Sequence, residues 1–261
     1  MGRVRAVLLD IDGVLTVSWR PVAGAVAAVA WLRAAGLPLA LVTNTTSRTR
    51  ASMADALRAA GFPVSADDIV TAPAVAAAYL RERYPGARCL LLNSGDIGAD
   101  LAGVSLVGTD ATAVDVVLVG GAGPEFSYDA LNTAFRHLRA GARLVAMSRA
   151  LYWQTSAGLR LDSGAFVVGL EQAAHTEAEV VGKPAAAFFA SVLTRLRVPA
   201  ADAVMVGDDI DIDVLAAQRA GLTGVLVRTG KYQASTHAAA TTPPDHVLDS
   251  VADLPALLQR G

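Results

Sequence analysis

A chain of 261 residues that is 53% hydrophobic and 18% charged has apolar mass for one large core or two smaller ones, and too little charge for disorder. The formal net charge of -2 carries no basic excess of the kind that marks a nucleic-acid surface. The lone cysteine, Cys89, excludes an intrachain disulfide and fits a cytoplasmic setting; its context, Cys89-Leu90-Leu91-Leu92, reads as a buried core thiol rather than a nucleophile.

Residues 4–9 read as a short buried strand. The apolar run there is cut by Asp10 and Asp12, so it is too short for the apolar region of a secretory leader. Residues 21–35 read as a helix, with Pro21 near its start and Gly36 just past its end. The Ala-rich part of that segment is far below membrane-spanning length, and no membrane contact is expected. Residues 37–42 form a second strand. A second helix covers 47–60, with Ser47 as N-cap and Gly61 at its stop. The sequon Asn44-Thr45-Thr46 is read as accidental in a chain without a leader.

A helix follows at 73–83. Strands are expected at 89–92, 116–119 and 143–146, and a helix at 128–140 ending at Gly141. Then come helix 184–196, strand 203–206, helix 211–220 and strand 224–227. Strands alternating with helices, with continuous apolar strands, predict an α/β fold with parallel sheets covered on both faces. Thr241-Thr242-Pro243-Pro244 marks a loop, and no long linker divides the chain, so a second domain has to be inserted within the first.

Two acidic clusters follow apolar strands. In Asp10-Ile11-Asp12-Gly13, the carboxylates stand two positions apart at a strand's carboxyl end, where open α/β sheets bind ligands. Asp10 suits attack on an electrophile and binding of a hard metal; Asp12 suits proton donation and acceptance. The bland alternative is a strand end and a turn, which Asp also favours. The second cluster, Gly207-Asp208-Asp209-Ile210-Asp211-Ile212-Asp213, packs like charges that call for a cation. Mg²⁺ accepts a few carboxylates together with water and phosphate oxygens. A calcium loop starting at Asp209 fails, because Val214 stands where Gly is needed and Ala220 where Glu is needed. Asp211 reads as a helix-capping acid.

Thr43 and Asn44 follow the second strand, where a hydroxyl and backbone N–H groups suit a phosphoryl oxygen; an ordinary helix-entry Thr is the alternative. Lys183, just before Pro184, suits neutralisation of a nucleophile and a transferring phosphoryl group, or a plain solvated loop lysine.

Taken in order, these stations resemble the four motifs of the haloacid dehalogenase superfamily of phosphohydrolases. Asp10 and Asp12 match its DxD motif, Thr43 the second motif, Lys183 the third, and Asp208 with Asp213 the GDxxxxD fourth. The resemblance implies an aspartyl-phosphate intermediate on Asp10, with Asp12 as general acid and then base. It implies Mg²⁺ held by the Asp10 side chain, the Asp12 backbone carbonyl and Asp208, with Asp213 orienting Lys183 or metal-bound water. Thr43, Asn44 and Lys183 would contact the phosphoryl group of a small phosphorylated substrate. Asp209 matches no motif position.

The interval from Asp12 to Thr43 leaves room for a loop and one helix. The interval from Thr43 to Lys183 is far longer, and an insertion of roughly 90 residues, 86–176, is expected to form a small α/β cap. The catalytic core would then comprise 1–85 and 177–261. A cap at this position resembles the NagD-like class IIA subgroup. Thr43-Asn44-Thr45-Thr46-Ser47-Arg48 matches its extended second motif, and 180–184, 207–210, Ala217-Gln218-Arg219-Ala220-Gly221 and Arg228-Thr229-Gly230-Lys231 carry the similarity onward. This implies hydrolysis of a phosphoester, a pyrophosphate or an N-phosphorylated compound, and leaves oligomerisation through the cap open. In the cap, Gly120-Gly121-Ala122-Gly123 reads either as a loop facing the active site or as a simple turn. Tyr152, Trp153 and Asp162-Ser163-Gly164 are candidate pocket residues, with packing favoured for the two aromatics.

Three other functions compete. A phosphotransferase or mutase of this family carries its cap between the first two motifs, where the interval here is short. A dehalogenase needs neither Asp12 nor Asp208. A non-catalytic phosphate binder on the same fold would be expected to lack a catalytic group, and all are present.

Overall fold

The computed structural model describes residues 4–155 and 158–259. They fall into two compact units. The first takes the chain up to Thr43, Arg50–Val70, and everything from Lys183 onward; the second takes Asn44–Thr49 and Thr71–Gly182.

In the first unit, six strands form one sheet: β1 (Ala6–Asp10), β2 (Leu39–Thr43), β3 (Ile69–Thr71), β4 (Ala203–Gly207), β5 (Thr223–Val227) and β6 (His246–Leu248). Their spatial order is β6-β5-β4-β1-β2-β3. β1 runs parallel to both β4 and β2, β4 to β5, and β5 to β6. Every residue of β1, β2 and β4 is buried, the signature of strands covered on both faces. Val7, Leu9, Leu41, Val204 and Val206 pack with Ala28 and Leu32 of the helix Ala25–Ala34 and Leu57 of the helix Arg50–Ala59. Phe188 and Phe189, on the helix Ala186–Leu196, are fully buried with their rings 5.9 Å apart. Leu9 pairs with Val206 and Asp10 with Val42. This register brings Asp10, Thr43 and the Gly207–Asp208 step out side by side at the carboxyl end of the sheet.

Several expected boundaries shift for local reasons. Pro21 does not open the first helix. Arg20 and Pro21 pair instead with Val17 and Thr16 in a small hairpin, and the helix begins only after Gly24, whose φ is +78°. The second helix begins at Arg50, so Ser47 is not its N-cap. β3 and β6 are edge strands of three residues each, too short to show a period-two pattern.

The second unit has its own parallel five-stranded sheet, ordered Glu179–Val180, Arg143–Ala146, Val116–Val119, Arg88–Leu92, Ser105–Val107. Val117, Val119 and Leu144 meet Leu138 of the helix Tyr128–Arg139 and Val167 and Leu170 of the helix Ser163–Ala174. Cys89 is buried in its strand, and burial pushes its thiol up to about 11, as befits a core thiol. The unit begins at Thr71, earlier than the motif spacing placed the insertion. Thr71 bonds to Asp100 at 3.2 Å and Arg81 to the Ala102 carbonyl at 2.8 Å, so the helix Ala72–Arg83 belongs with this sheet.

The glycine run after Val119 is a packed turn. The Asn93 side chain accepts from the Gly121 N–H at 2.8 Å and donates to the carbonyls of Thr46, Ser94 and Gly95 at 3.0–3.1 Å. Asn93 thereby ties the Asn44–Thr49 segment to the sheet's carboxyl end. Asp162 caps the following helix through the Ser163 N–H at 2.7 Å, and Ser163 is fully buried. Tyr152 is 61% exposed rather than packed, because its hairpin partner Leu161 stands exposed beside it. The Trp153 side chain lies outside the described residues. Among the described residues, no helix is long and apolar enough to cross a membrane.

Candidate active site

The carboxyl ends of β1 and β4 are adjacent, and each delivers an aspartate. Lys183 enters beside them from the segment that precedes the helix Ala186–Leu196. Its Nζ donates to Asp10 Oδ1 at 2.5 Å and to Asp213 Oδ1 at 2.6 Å. Asp10, Lys183, Asp208 and Asp213 are all buried. One carboxylate oxygen from each of Asp10, Asp208 and Asp213 lies within 4.8 Å of the others.

Asp213 reaches the lysine because the chain after β4 does not form the single helix expected over 211–220. A wide turn, Ile210–Leu215, precedes a short helix, Ala216–Arg219. Its N-cap is Asp209, whose carboxylate accepts from the Asp211 N–H at 3.1 Å and the Ile212 N–H at 3.0 Å. Capping thus belongs to Asp209, and the expectation for Asp211 is corrected: Asp211 is exposed, and its backbone is what the cap binds.

Asp208 sits in a cradle. Its Oδ2 accepts the Lys231 N–H at 2.6 Å. Gly13 and Gly230 flank it with φ of +90° and +59°, and a Cβ on either would overlap its carboxylate. A side chain at either position would have to displace that carboxylate. Asp12 is exposed beside β1 and bridges to Thr16. Thr43 is buried at the end of β2. Asn44, next in the chain, is half-buried and groups with the second unit.

Charge is unbalanced here. Burial raises Asp10, against the attraction of Lys183. Burial and then the charges of Asp10 and Asp213 push Asp208 up to about 7. Burial pushes Asp213 up to about 6, Lys183 opposing. For Lys183 burial acts downward, but Asp10 and Asp213 together raise it, so the ammonium stays charged. A cluster that would rather bind protons is short of positive charge. Its donor atoms are all carboxylate oxygens, the set that suits a hard cation such as Mg²⁺.

This has a consequence for the metal-free protein. Asp208 and Asp213 bind protons more tightly folded than unfolded, where an Asp titrates near about 3.9. The native state therefore carries more protons between about pH 4 and 7, and stability falls as pH rises through that window. Lys183 stays charged throughout it and adds no slope. Metal-free protein is expected to melt lower at pH 8 than at pH 5.5, with Mg²⁺ restoring the loss at pH 8. Equal melting temperatures at the two pH values would contradict the charge imbalance.

A haloacid dehalogenase-like hydrolase model matches residues 7–106, and a second, HAD-hydrolase-like, model matches residues 180–254. Haloacid dehalogenase-like hydrolase domain-containing protein 2 of Pongo abelii is 39% identical over 92% of this chain and 90% of its own. The human phospholysine phosphohistidine inorganic pyrophosphate phosphatase is 37% identical over 98% of this chain and 94% of its own. The chain belongs to the haloacid dehalogenase-like hydrolase family. Within solved structures it is similar to NagD from the E. coli K-12 strain, at a TM-score of 0.87 and 27% identity over 96% of this chain and 98% of that one.

This chain thus shares its fold with that NagD structure. The residues that sequence reasoning left without a role are Thr229, Gly230 and Lys231. A signal was present, since this segment follows the strand beside β4, but nothing in its composition announces what it touches.

Proposed function

We propose that this hydrolase is a magnesium-dependent phosphatase of small phosphorylated molecules, acting through a phosphoryl group carried on Asp10. The observation that carries the reading is the buried Asp10–Lys183–Asp213 chain beside Asp208 at adjacent strand ends.

Asp10 attacks phosphorus, and the bond to the leaving oxygen or nitrogen breaks as the bond to Asp10 forms. Lys183, held charged, neutralises Asp10 and the charge that develops on the transferring group. Asp213 holds the Lys183 ammonium in line. Asp12, exposed beside Asp10, protonates the leaving group, then takes a proton from the water that releases phosphate. The Thr43 hydroxyl donates to a phosphoryl oxygen, and Asn44 keeps the phosphoryl contact that the extended second motif implies. Asp10, Asp208 and the Asp12 backbone carbonyl would hold Mg²⁺, which supplies charge neutralisation when bound. Asp213 gives Oδ1 to Lys183 and Oδ2 to the Asp209 N–H at 3.4 Å, and we assign it as the lysine's partner. We assign catalysis to the first unit and the cap to the second.

Phosphate release from p-nitrophenyl phosphate, pyrophosphate and a phosphoramidate is expected to require Mg²⁺. Testing P–O–P and P–N bonds is supported by the named activity of the human relative. Asp208→Asn is expected to raise the Mg²⁺ concentration for half-maximal rate by at least about 10-fold. No turnover of any substrate across a broad phosphorylated-metabolite panel would sink the reading. An unchanged Mg²⁺ titration would take Asp208 out of the metal site.

A further inference from the structure

We propose that Thr229, Gly230 and Lys231 form a clasp that fixes the Asp208 carboxylate in place and so sets the affinity of the carboxylate cluster for Mg²⁺. The inference rests on the metal reading given above, and assigns to these three residues a positioning role.

In the sheet β4 separates β5 from β1, yet the loop after β5 reaches the turn that follows β1. The Thr229 hydroxyl donates to the Gly13 carbonyl at 2.5 Å, joining positions 216 residues apart in sequence. One residue later, Gly230 turns with φ +59° directly against Asp208 and against the Cα of Gly13. One residue later again, the Lys231 N–H closes on Asp208 Oδ2 at 2.6 Å. Three successive residues thus tie the loops after β1, β4 and β5 together around one carboxylate.

That carboxylate needs holding. Asp10 and Asp213 repel it, and Lys183 bonds to those two. The Lys231 N–H is a neutral donor, so it orients Asp208 without cancelling its charge. For the Lys231 ammonium burial acts downward, but the charges of Asp208, then Asp10 and Asp213, outweigh it and raise its proton affinity. A ligand oriented by partners that leave its charge intact is the arrangement that raises metal affinity, and loss of such partners typically costs roughly 10- to 100-fold.

The deciding variant is Thr229→Val, which keeps shape and removes the hydroxyl. Mg²⁺ binding to the full-length, substrate-free protein is measured by calorimetry and by the Mg²⁺-induced rise in melting temperature, alongside the Mg²⁺ dependence of turnover. The expected result is roughly 10- to 100-fold weaker Mg²⁺ binding, a kcat that recovers at saturating Mg²⁺, and wild-type behaviour in Thr229→Ser. Gly230→Ala is expected to weaken binding further, since its Cβ displaces Asp208. If Thr229→Val fails to fold, Thr229→Ala makes the same comparison. Wild-type protein that binds Mg²⁺ with Thr229→Val binding it equally well overturns the clasp and leaves the phosphatase reading standing. A kcat loss with unchanged Mg²⁺ affinity also overturns it. Wild-type protein that binds no Mg²⁺ overturns both.

Discussion

Asp10→Asn is expected to lower turnover on the order of 10⁴-fold or more while leaving the protein folded. The amide keeps the size of the carboxylate but cannot attack phosphorus. It also removes one of three crowded buried acids. Asp208 is raised by the charge of Asp10, and so is Asp213. Both should titrate lower in the variant. Lys183 retains Asp213 as a partner, so the fold loses one ion pair and one repulsion together. Metal-free Asp10→Asn is therefore expected to melt close to wild type at pH 8. Single-turnover phosphate release and thermal melts on the same purified sample give both quantities. Near-normal turnover would remove Asp10 from the nucleophile's role. A large drop in melting temperature would show that the Lys183–Asp10 pair outweighs the repulsion.

Lys183→Ala is expected to cost both activity and fold. The lysine is 4% exposed and bonds to two buried carboxylates. Taking it away leaves Asp10 and Asp213 charged, dry and uncompensated, a situation that costs about 3–5 kcal/mol. Turnover should fall at least about 10²-fold, because a charge-stabilising group is lost from the transferring phosphoryl. The penalty depends on pH in a defined direction. Both acids already have raised proton affinity. Without the lysine they take up protons more readily still, and below their folded values the repulsion is gone. Urea denaturation should show a large loss at pH 8 and a smaller one at pH 5. An equal loss at both pH values would mean that packing, not charge, is what Lys183 supplies.

Much of the site was legible because its signals are local. Asp10 and Asp12 follow a buried apolar run, Asp208 follows another, and Lys183 precedes a proline and a helix. Order and spacing sufficed to suggest one chemistry. Other features were illegible for equally physical reasons. Asp209 and Asp211 look alike as capping acids, and only the wide turn at Ile210–Leu215 gives the cap to Asp209. Tyr152 reads as a packing aromatic, yet its two-stranded hairpin leaves it exposed. Thr71 to Arg83 lies before the expected insertion, and hydrogen bonds to residues 100–102 decide which sheet it joins.

Asp10 shows the division most plainly. By itself, the sequence determined that an acid stands at the end of a buried strand, followed by a second acid and a glycine, in a chain of alternating strands and helices. Those are consequences of burial and backbone preference acting over a few residues. The tertiary structure alone decided that β4 lies beside β1, that Lys183 reaches both Asp10 and Asp213, and that Thr229 to Lys231 close around Asp208. The hydrogen bonds among them join residues from 23 to 216 positions apart, and strand register, not local propensity, sets which of them meet.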